Sequence, residues 1–262
     1  MFFRFLIVCF LLSHTCFGQF FDSRPLLKVM ELPVGKGSSI DGTSVVWHPF
    51  QRKYYVAMAG NKKAPLLIFN EKGKRLDSLD AGADIRGLWY NPRLRTLEGN
   101  ATDQLGWFTF SLSKKGIPTG LTPKFEKKSV PDGQSVGTYF APDHIILFLA
   151  GSMLTAYNAE TGEYIDTYPI GEITTKNYSP FDRNAPVYNN LTILVTNEKG
   201  RDIALINVTK RCIEMFDTNT PGLKYTYYVP VEQPLYGAFN AAYANGIFWL
   251  FDQKKRVWNG YQ

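Results

Sequence analysis

Short runs of β-branched and aromatic residues alternate with turn residues along most of the chain. Residues 152–171 show the pattern most completely, because the runs at 153–157 and 164–170 have the residue types that suit a pleated, half-buried strand. The segment Asn158-Ala-Glu-Thr-Gly162 supplies the turn between them. No segment beyond the first eighteen residues sustains a 3.6-residue apolar stripe, which argues against a helix-rich fold. The pattern therefore predicts a series of β-hairpins.

Five segments repeat one frame, in which an apolar or aromatic strand ends in a proline or asparagine turn. The anchor residues are Pro49, Pro92, Pro142, Asn190 and Asn245, with spacings of 43, 50, 48 and 55 residues. Four short strands at every ~40 to 50 residues are typical of a β-propeller blade, whereas a β-sandwich would not require so even a period. The sequence predicts an all-β fold, a β-propeller with five blades of four antiparallel strands, and a six-bladed ring is the alternative.

The predicted strands can be placed unit by unit. The first unit has strands at 44–49, 53–59, 65–69 and 75–79, the second at 87–92, 96–101, 107–111 and 121–127, and the third at 137–142, 145–150, 153–157 and 164–170. The fourth has strands at 185–190, 191–196, 203–208 and 213–216, and residues 218–236 link it to the fifth, with strands at 241–245, 247–251 and 256–261.

The fifth unit therefore lacks an outer strand. The unpartnered run at 26–34 ends in Pro33-Val34-Gly35, as the complete hairpin ends in Pro169-Ile170-Gly171. We expect residues 26–34 to supply the missing strand, because closing the ring in this way removes the two unpaired edges of an open one.

The hairpin at 154–171 resembles the repeats of YVTN- and NHL-type propellers, in which a strand, a turn with Thr-Gly and a strand ending in Gly recur. The segment Gly87-Leu-Trp-Tyr-Asn-Pro92 is similar to their inner strand. The resemblance covers most of the chain as a frame and is specific in one or two units. It implies a propeller fold, and because those families include both binding modules and enzymes, it implies no single function.

The first eighteen residues have the pattern of a secretory signal peptide. Arg4 precedes an apolar run at 5–12, and the small residues Cys16 and Gly18 precede an expected cleavage before Gln19. The run is too short to span a bilayer of ~30 Å, which needs about 20 residues. We expect residues 1–18 to be removed and residues 19–262 to form a single propeller domain that is secreted or periplasmic.

Composition narrows the partners and the chemistry. Hydrophobic residues make up 45% of the chain and aromatic residues 15%, which excludes a disordered protein. Loss of Arg4 with the leader leaves 28 of the 29 Lys and Arg against 23 Asp and Glu, a net charge of +5. The lysines are expected at turns on both ends of the molecule rather than on one face, so we expect no nucleic-acid partner. No apolar run after the leader is long enough to cross a membrane, so we expect no membrane span. We also expect a monomer. Cys212 is the one cysteine after the leader, so it has no internal disulfide partner and is expected as a buried hydrophobe.

Carboxylates recur where the predicted inner strands begin. The residues eight before each anchor are Asp41, Asp84, Gln134, Asp182 and Gly237. Three carboxylates at one mouth of the central channel would offer oxygen ligands to calcium, although calcium takes about 6 to 8 oxygens. The other interpretation, which we favour, is that aspartate suits the turn that enters a strand by bonding to its own backbone.

Other side chains are expected at the same mouth. Arg86 and Arg183 would form ion pairs with the aspartates or bind an anionic ligand. The link at 218–236 would overhang this end and present three tyrosines, Tyr225, Tyr227 and Tyr228. Their rings would stack on sugars or cap a hydrophobic partner, or else cover a blade as ordinary packing.

No catalytic residue can be assigned from the sequence. His48 and His144 are expected at the end opposite the aspartates, which argues against a Ser-His-Asp arrangement. Our first hypothesis is a binding module for a protein or glycan. The alternative is a metal-dependent propeller hydrolase or lactonase with Asp41, Asp84 and Asp182 as ligands.

Four sequons would accept glycans in a eukaryotic host: Asn100, Asn177, Asn190 and Asn207.

Overall fold

The computed structural model describes residues 22–37, 41–102, 105–125, 133–174, 186–196 and 202–262. Within these ranges the strands form five sheets, four with four strands and one with five. This is the five-bladed β-propeller that the repeat predicts, and it excludes a six-bladed ring. The predicted signal peptide lies outside the described residues.

The first three blades follow the chain in order, each from an inner to an outer strand. Blade 1 consists of β3 (Gly42–His48), β4 (Lys53–Met58), β5 (Pro65–Asn70) and β6 (Arg75–Asp80). Blade 2 consists of β7 (Ile85–Asn91), β8 (Thr96–Ala101), β9 (Trp107–Leu112) and β10 (Pro118–Phe125). Blade 3 consists of β11 (Gly137–Phe140), β12 (Ile145–Ala150), β13 (Met153–Asn158) and β14 (Tyr164–Pro169). The predicted positions are confirmed for all twelve strands.

The last two blades involve both ends of the described chain. Blade 4 consists of β15 (Leu194–Val195), β16 (Asp202–Asn207), β17 (Cys212–Asp217), β18 (Leu223–Tyr228) and β1 (Asp22–Pro25), which runs parallel to β18. Blade 5 consists of β19 (Ala241–Ala244), β20 (Ile247–Asp252), β21 (Val257–Tyr261) and β2 (Lys28–Pro33). Because β2 pairs antiparallel with β21, the predicted closure of the ring is confirmed. The parallel strand β1 was not predicted.

The prediction for blade 4 was wrong by one strand. The inner strand is not at 185–190 but includes Leu194 and Val195, and the outer strand that follows β17 lies in what was predicted to be a link. The cause is a local turn: the Asn189 side chain accepts hydrogen bonds from the N–H groups of Leu191 (3.2 Å) and Thr192 (3.0 Å). This turn interrupts the hydrogen-bond ladder of the inner strand. The sequence around Asn190 therefore has the pattern of a turn between two strands, and the strands of blade 4 were assigned one position too early.

The hydrophobic core is divided among the five junctions between neighbouring blades. Each of five buried clusters combines side chains from two adjacent blades. At the junction of blades 5 and 1, for example, Tyr54 and Phe69 pack with Trp249 and Trp258. Cys212 is buried, as expected. Burial between blades therefore stabilises the ring as a whole rather than any blade alone.

A polar side chain also joins each pair of neighbouring blades near the channel. The hydrogen bonds run from Leu88 N to Ser44 Oγ (3.1 Å), Gly137 N to Asn100 Oδ1 (3.1 Å), Thr138 Oγ1 to Ile193 O (3.1 Å), Asn189 Nδ2 to Phe239 O (2.8 Å) and Gly42 N to Asn240 Oδ1 (2.9 Å). Because the amide of Asn100 is buried and bonded on both sides, this sequon has no room for a glycan in the folded protein. Asn207 is buried as well, whereas Asn190 is exposed.

Helices contribute little within the described ranges. The one described helix, α1 (Ile170–Thr174), has five residues and follows β14. No helix among the described residues is long and apolar enough to cross a membrane.

Candidate ligand-binding channel

The five inner strands β3, β7, β11, β15 and β19 surround a central channel with a volume of about 310 Å³. All five inner strands run in the same direction. We call the end where they begin the cap end, marked by Asp41 and Asn240, and the end where they finish the aromatic end, marked by Trp47 and Tyr90. None of the described residues that line the channel carries a charged side chain.

Four aromatic side chains define the aromatic end. They are Trp47, Tyr90, Tyr139 and Tyr243, and each is the next-to-last residue of its inner strand. All four line the channel. Because the inner strands are parallel and equivalent around the ring, this one register position brings the rings of four blades together. In blade 4 the channel is lined by Val195 instead.

Each of these rings rests on a second side chain, which comes from the same blade for Trp47, Tyr139 and Tyr243 and from blade 1 for Tyr90. Trp47 packs on Tyr54 with ring centroids 4.7 Å apart, Tyr243 packs on Phe248 at 4.9 Å, and Tyr90 packs on His48 at 4.6 Å. The Tyr139 hydroxyl lies 2.9 Å from His144 Nδ1. Ring contacts at these distances hold the aromatic faces in fixed orientations.

Two tyrosines of this end, Tyr90 and Tyr139, stay uncharged at neutral pH. Burial raises the pKa of Tyr90, and the charge of Arg95 opposes the shift. Burial also raises the pKa of Tyr139. Both phenols are therefore protonated.

The cap end has the opposite character, because its polar groups are bonded to one another. Asp41 Oδ1 accepts hydrogen bonds from Asn240 Nδ2 (2.9 Å) and Gln253 Nε2 (2.6 Å). Asp84 accepts from the Gly60 N–H (3.1 Å) and lies 3.0 Å from Arg86 Nη2 in an ion pair that is mostly buried. These aspartates join the turns of neighbouring strands and blades.

The segment before β19 crosses the channel at the cap end. The Arg86 guanidinium lies 5.6 Å from the centre of the Phe239 ring, a cation–π contact. Blade 2, which carries Arg86, lies across the ring of blades from the junction that carries Phe239. The contact therefore spans the channel. Phe239 and Asn240 both have left-handed backbones, with φ of 50° and 61°, a conformation that costs free energy in non-glycine residues.

The structure brings together only some of the residues predicted for the site. Asp41, Asp84 and Arg86 lie at the cap end, where the inner strands begin, as predicted. His48 and His144 lie at the opposite end, also as predicted. Asp182 and Arg183 lie outside the described residues.

The predicted position of the three tyrosines was wrong. Tyr225, Tyr227 and Tyr228 lie in β18, between β17 and β1, rather than in a link over the channel. Tyr225 and Tyr227 pack against the core between blades 4 and 5, whereas Tyr228 is exposed. The error follows from the shifted strand assignment in blade 4. The observed positions favour the interpretation that these rings cover a blade.

The calcium hypothesis stays a prediction. Among the described residues, no group of three or more His, Cys, Asp or Glu side chains is placed to hold a metal ion. Asp41 faces two amide N–H groups and Asp84 faces a guanidinium, so both carboxylates already have positively polarised partners.

Sequence reasoning missed the aromatic end. A signal was present, because an aromatic residue precedes the last residue of the inner strand in Trp47-His48-Pro49 and Tyr90-Asn91-Pro92. That these side chains face the channel follows only from the register of the inner strands around the closed ring.

Comparison with known proteins shows the fold and not a family. No protein-family model matches the chain, and no curated protein matches it in sequence. Among solved structures, the chain is similar to the glutaminyl cyclase of Myxococcus xanthus, with a TM-score of 0.61, 11% identity, and coverage of 92% of this chain and 97% of that one. An identity this low supports the β-propeller fold alone.

Two further structures are more distant. Raptor of Chaetomium thermophilum has a TM-score of 0.46 and 10% identity, over 87% of this chain and 20% of that one. The β-propeller domain of Cps50 (Swd1) of Myceliophteria thermophila has a TM-score of 0.47 and 14% identity, over 86% and 84%.

Proposed function

We propose that the protein is an exported binding module that recognises a protein or glycan at the aromatic end of its channel. The observation that carries the proposal is the set of four aromatic rings, Trp47, Tyr90, Tyr139 and Tyr243, at one mouth of an uncharged channel. Ligand sites are typically concave and mostly apolar, with aromatic side chains and a few polar groups. Aromatic residues also contribute most of the binding energy in many protein interfaces.

The rigidity of the aromatic end supports this role. A ring that is already held in place loses little conformational entropy when it binds a ligand. Trp47, Tyr90 and Tyr243 each pack on a second ring at centroid distances between 4.6 and 4.9 Å. The cap end is less suited to binding, because Asp41, Asp84 and Arg86 are engaged in contacts within the protein.

Export is proposed from the leader at residues 1–18, and a repeat type of the YVTN or NHL kind from the hairpin at 154–171. Mass spectrometry of the protein recovered from an exporting host tests the first point. A mature chain that begins at Gln19 is expected, and retention of Met1 in the exported fraction would contradict it.

Binding is tested with the mature chain, residues 19–262, on arrays of glycans and peptides. The double variant Trp47→Ala and Tyr243→Ala removes two rings at the aromatic end. We expect it to weaken binding by at least about tenfold, the equivalent of about 1.4 kcal/mol. Tyr164→Ala removes an exposed ring from the outer strand β14 and is the matched control, which should bind like the wild type.

Two outcomes would contradict the proposal. One is unchanged binding by the double variant, and the other is the absence of binding to every probe on both arrays. Because Cys212 is buried, an unreactive thiol in each variant shows that the fold is intact.

A further inference from the structure

The geometry of the channel points to a ligand class, and we infer that the aromatic end takes the uncharged terminal unit of a carbohydrate chain. The inference rests on the proposed function and specifies its ligand. It depends on four features of the described residues: the charge of the lining, the aromatic faces, the inner-strand edges that face the channel and the closure of the cap end.

The lining is uncharged over its described residues, and this selects against ionic ligands. A charged group that enters the channel loses its hydration and meets no side chain of opposite charge among those residues. Uronic acids, phosphorylated sugars and peptides with charged side chains are all disfavoured by this cost. A neutral ligand avoids the cost.

The aromatic faces favour a ring-shaped ligand with apolar C–H surfaces. Trp47, Tyr90, Tyr139 and Tyr243 come from four blades, so they face the channel from several sides. Trp47, Tyr90 and Tyr243 are half-buried and Tyr139 is buried, and all four line the channel. A pyranose ring presents C–H groups on its faces and hydroxyl groups around its rim. It can therefore stack on one ring while its rim remains free to form hydrogen bonds.

The inner strands provide hydrogen-bond partners of both kinds. Each of β3, β7, β11, β15 and β19 lies at the edge of its sheet and pairs with only one neighbouring strand. One edge of each strand therefore presents backbone N–H and C=O groups toward the channel and the neighbouring blades, and part of this edge, at Leu88 N, Gly137 N and Ile193 O, is already bonded to neighbouring blades. A sugar hydroxyl both donates and accepts, so it can pair with either group. An aliphatic peptide side chain would leave both unpaired, at a cost in affinity.

The size and closure of the channel favour the end of a chain over its interior. A volume of about 310 Å³ is at the lower limit of the range of about 300 to 1,000 Å³ for ligand pockets. Arg86 and Phe239 meet across the cap end, so a chain cannot pass through. Only a terminal unit therefore fits, with the remainder of the chain outside the aromatic end.

The test is a calorimetric titration of the mature chain with cellobiose, maltose and mannobiose, each against a disaccharide of the corresponding uronic acid. We expect at least one neutral disaccharide to bind at least about tenfold more tightly than its acidic counterpart. Lengthening the neutral ligand to a tetrasaccharide should change the affinity by less than about threefold, because only the end enters.

Two variants of one residue test the stacking contact. Tyr243→Leu removes the aromatic face and should weaken saccharide binding by about tenfold, whereas Tyr243→Phe keeps the face and should bind within about threefold of the wild type. A structural role alone would not separate the two variants in affinity while their melting temperatures remain equal.

The outcomes separate this inference from the proposed function. If peptides bind and Trp47→Ala abolishes their binding, while no neutral saccharide binds, the carbohydrate inference is overturned and the proposed function stands. If saccharides bind equally well to Trp47→Ala and to the wild type, both are overturned. Tighter binding of the acidic disaccharides would overturn the inference alone.

Discussion

The two ends of the channel lie at the two ends of the same five inner strands, yet they have opposite chemistry. At the cap end, Asp41, Asp84 and Asn240 are bonded within the protein, and Phe239 meets Arg86 across the channel. At the aromatic end, uncharged rings face an open mouth. The difference indicates that the starts of the inner strands close the channel, and it supports our proposal that a ligand binds at their other ends.

The cap end carries backbone strain in two consecutive residues, whereas the positive-φ residues of the aromatic end, such as Arg95 and Asn245, lie singly in the turns that follow the inner strands. Phe239 and Asn240 are consecutive non-glycine residues with positive φ. Such conformations cost of order 1 to 3 kcal/mol each and persist only where the surroundings impose them. Here the Asn240 side chain bonds to Gly42, Asp41 and Ala238. We interpret the strain as the cost of placing the Phe239 ring over the channel.

The largest effect on stability is expected at the cap end. Asn240→Ala removes three hydrogen bonds and leaves a Cβ in a left-handed backbone, so it should lower the free energy of unfolding by about 3 kcal/mol. Asn240→Gly removes the same hydrogen bonds, but glycine adopts the left-handed backbone readily. Its loss in the free energy of unfolding should therefore be about 1 kcal/mol smaller. Urea unfolding measures both. Equal losses would show that the backbone at Asn240 is not strained.

A smaller effect on stability is expected at two threonines that line the channel, and it should differ between them. Thr138 Oγ1 donates to Ile193 O at 3.1 Å, so Thr138→Val should destabilise the protein by about 1 kcal/mol. The Thr192 hydroxyl is buried and has no hydrogen-bond partner among the described residues. Thr192→Val should therefore be neutral or slightly stabilising. The opposite order in urea unfolding would contradict the hydrogen bonding described here.

The aromatic end should also respond to acid through His48. Burial lowers the pKa of His48 from its ordinary value of 6.5; the hydrogen bond to the backbone opposes this shift, and Lys53 adds to it. The unfolded chain therefore takes up a proton at a higher pH than the folded protein does. The stability linked to His48 is complete above pH 6.5 and is lost as the pH falls through the folded pKa.

The expected result is a larger fall in melting temperature between pH 7.5 and pH 5.5 for the wild type than for His48→Asn. Asparagine is the matched replacement, because Asn91 occupies the equivalent last position of β7. An identical fall in the two proteins would show that His48 does not carry the effect.

Calcium is expected to have the smallest effect on stability. The carboxylates of the cap end already face Arg86 and the amides of Asn240 and Gln253, so we expect no change in melting temperature between EDTA and millimolar calcium. A site filled at 100 times its dissociation constant would add about 2.7 kcal/mol. A rise of several degrees that Asp41→Asn and Asp84→Asn abolish would contradict this expectation and revive the metal-dependent alternative.

The sequence predicted the fold well wherever each strand is complete. Blades 1 to 3 and the closure by β2 follow from alternating apolar residues and turns, which depend on neighbouring positions alone. Blade 4 does not, because Asn189 binds the backbone of Leu191 and Thr192 and breaks the inner strand. The strand β1 has only four residues and ends in Pro25, so it carried no recognisable pattern.

The candidate site was less predictable for a physical reason. Asp41 and Asp84 were placed correctly at the start of the inner strands, but the partners of Asp41, Asn240 and Gln253, are about 200 residues away in sequence, at separations of 199 and 212. The aromatic end depends on which side of each inner strand faces the channel, and that follows from closure of the ring. Local pattern alone contains neither kind of information.

The most direct test of the account is the route by which a reagent enters the channel. Thr138→Cys places a thiol in the lining, and buried Cys212 serves as the internal control for unfolding. The rate of maleimide labelling is measured in this background, and again after Ala141→Trp narrows the aromatic end or Phe239→Ala opens the cap end. We expect Ala141→Trp to slow labelling, whereas Phe239→Ala, which can only add a second opening, should not slow it. Faster labelling in Phe239→Ala with no effect of Ala141→Trp would show that the channel is entered from the cap end, and would contradict the account.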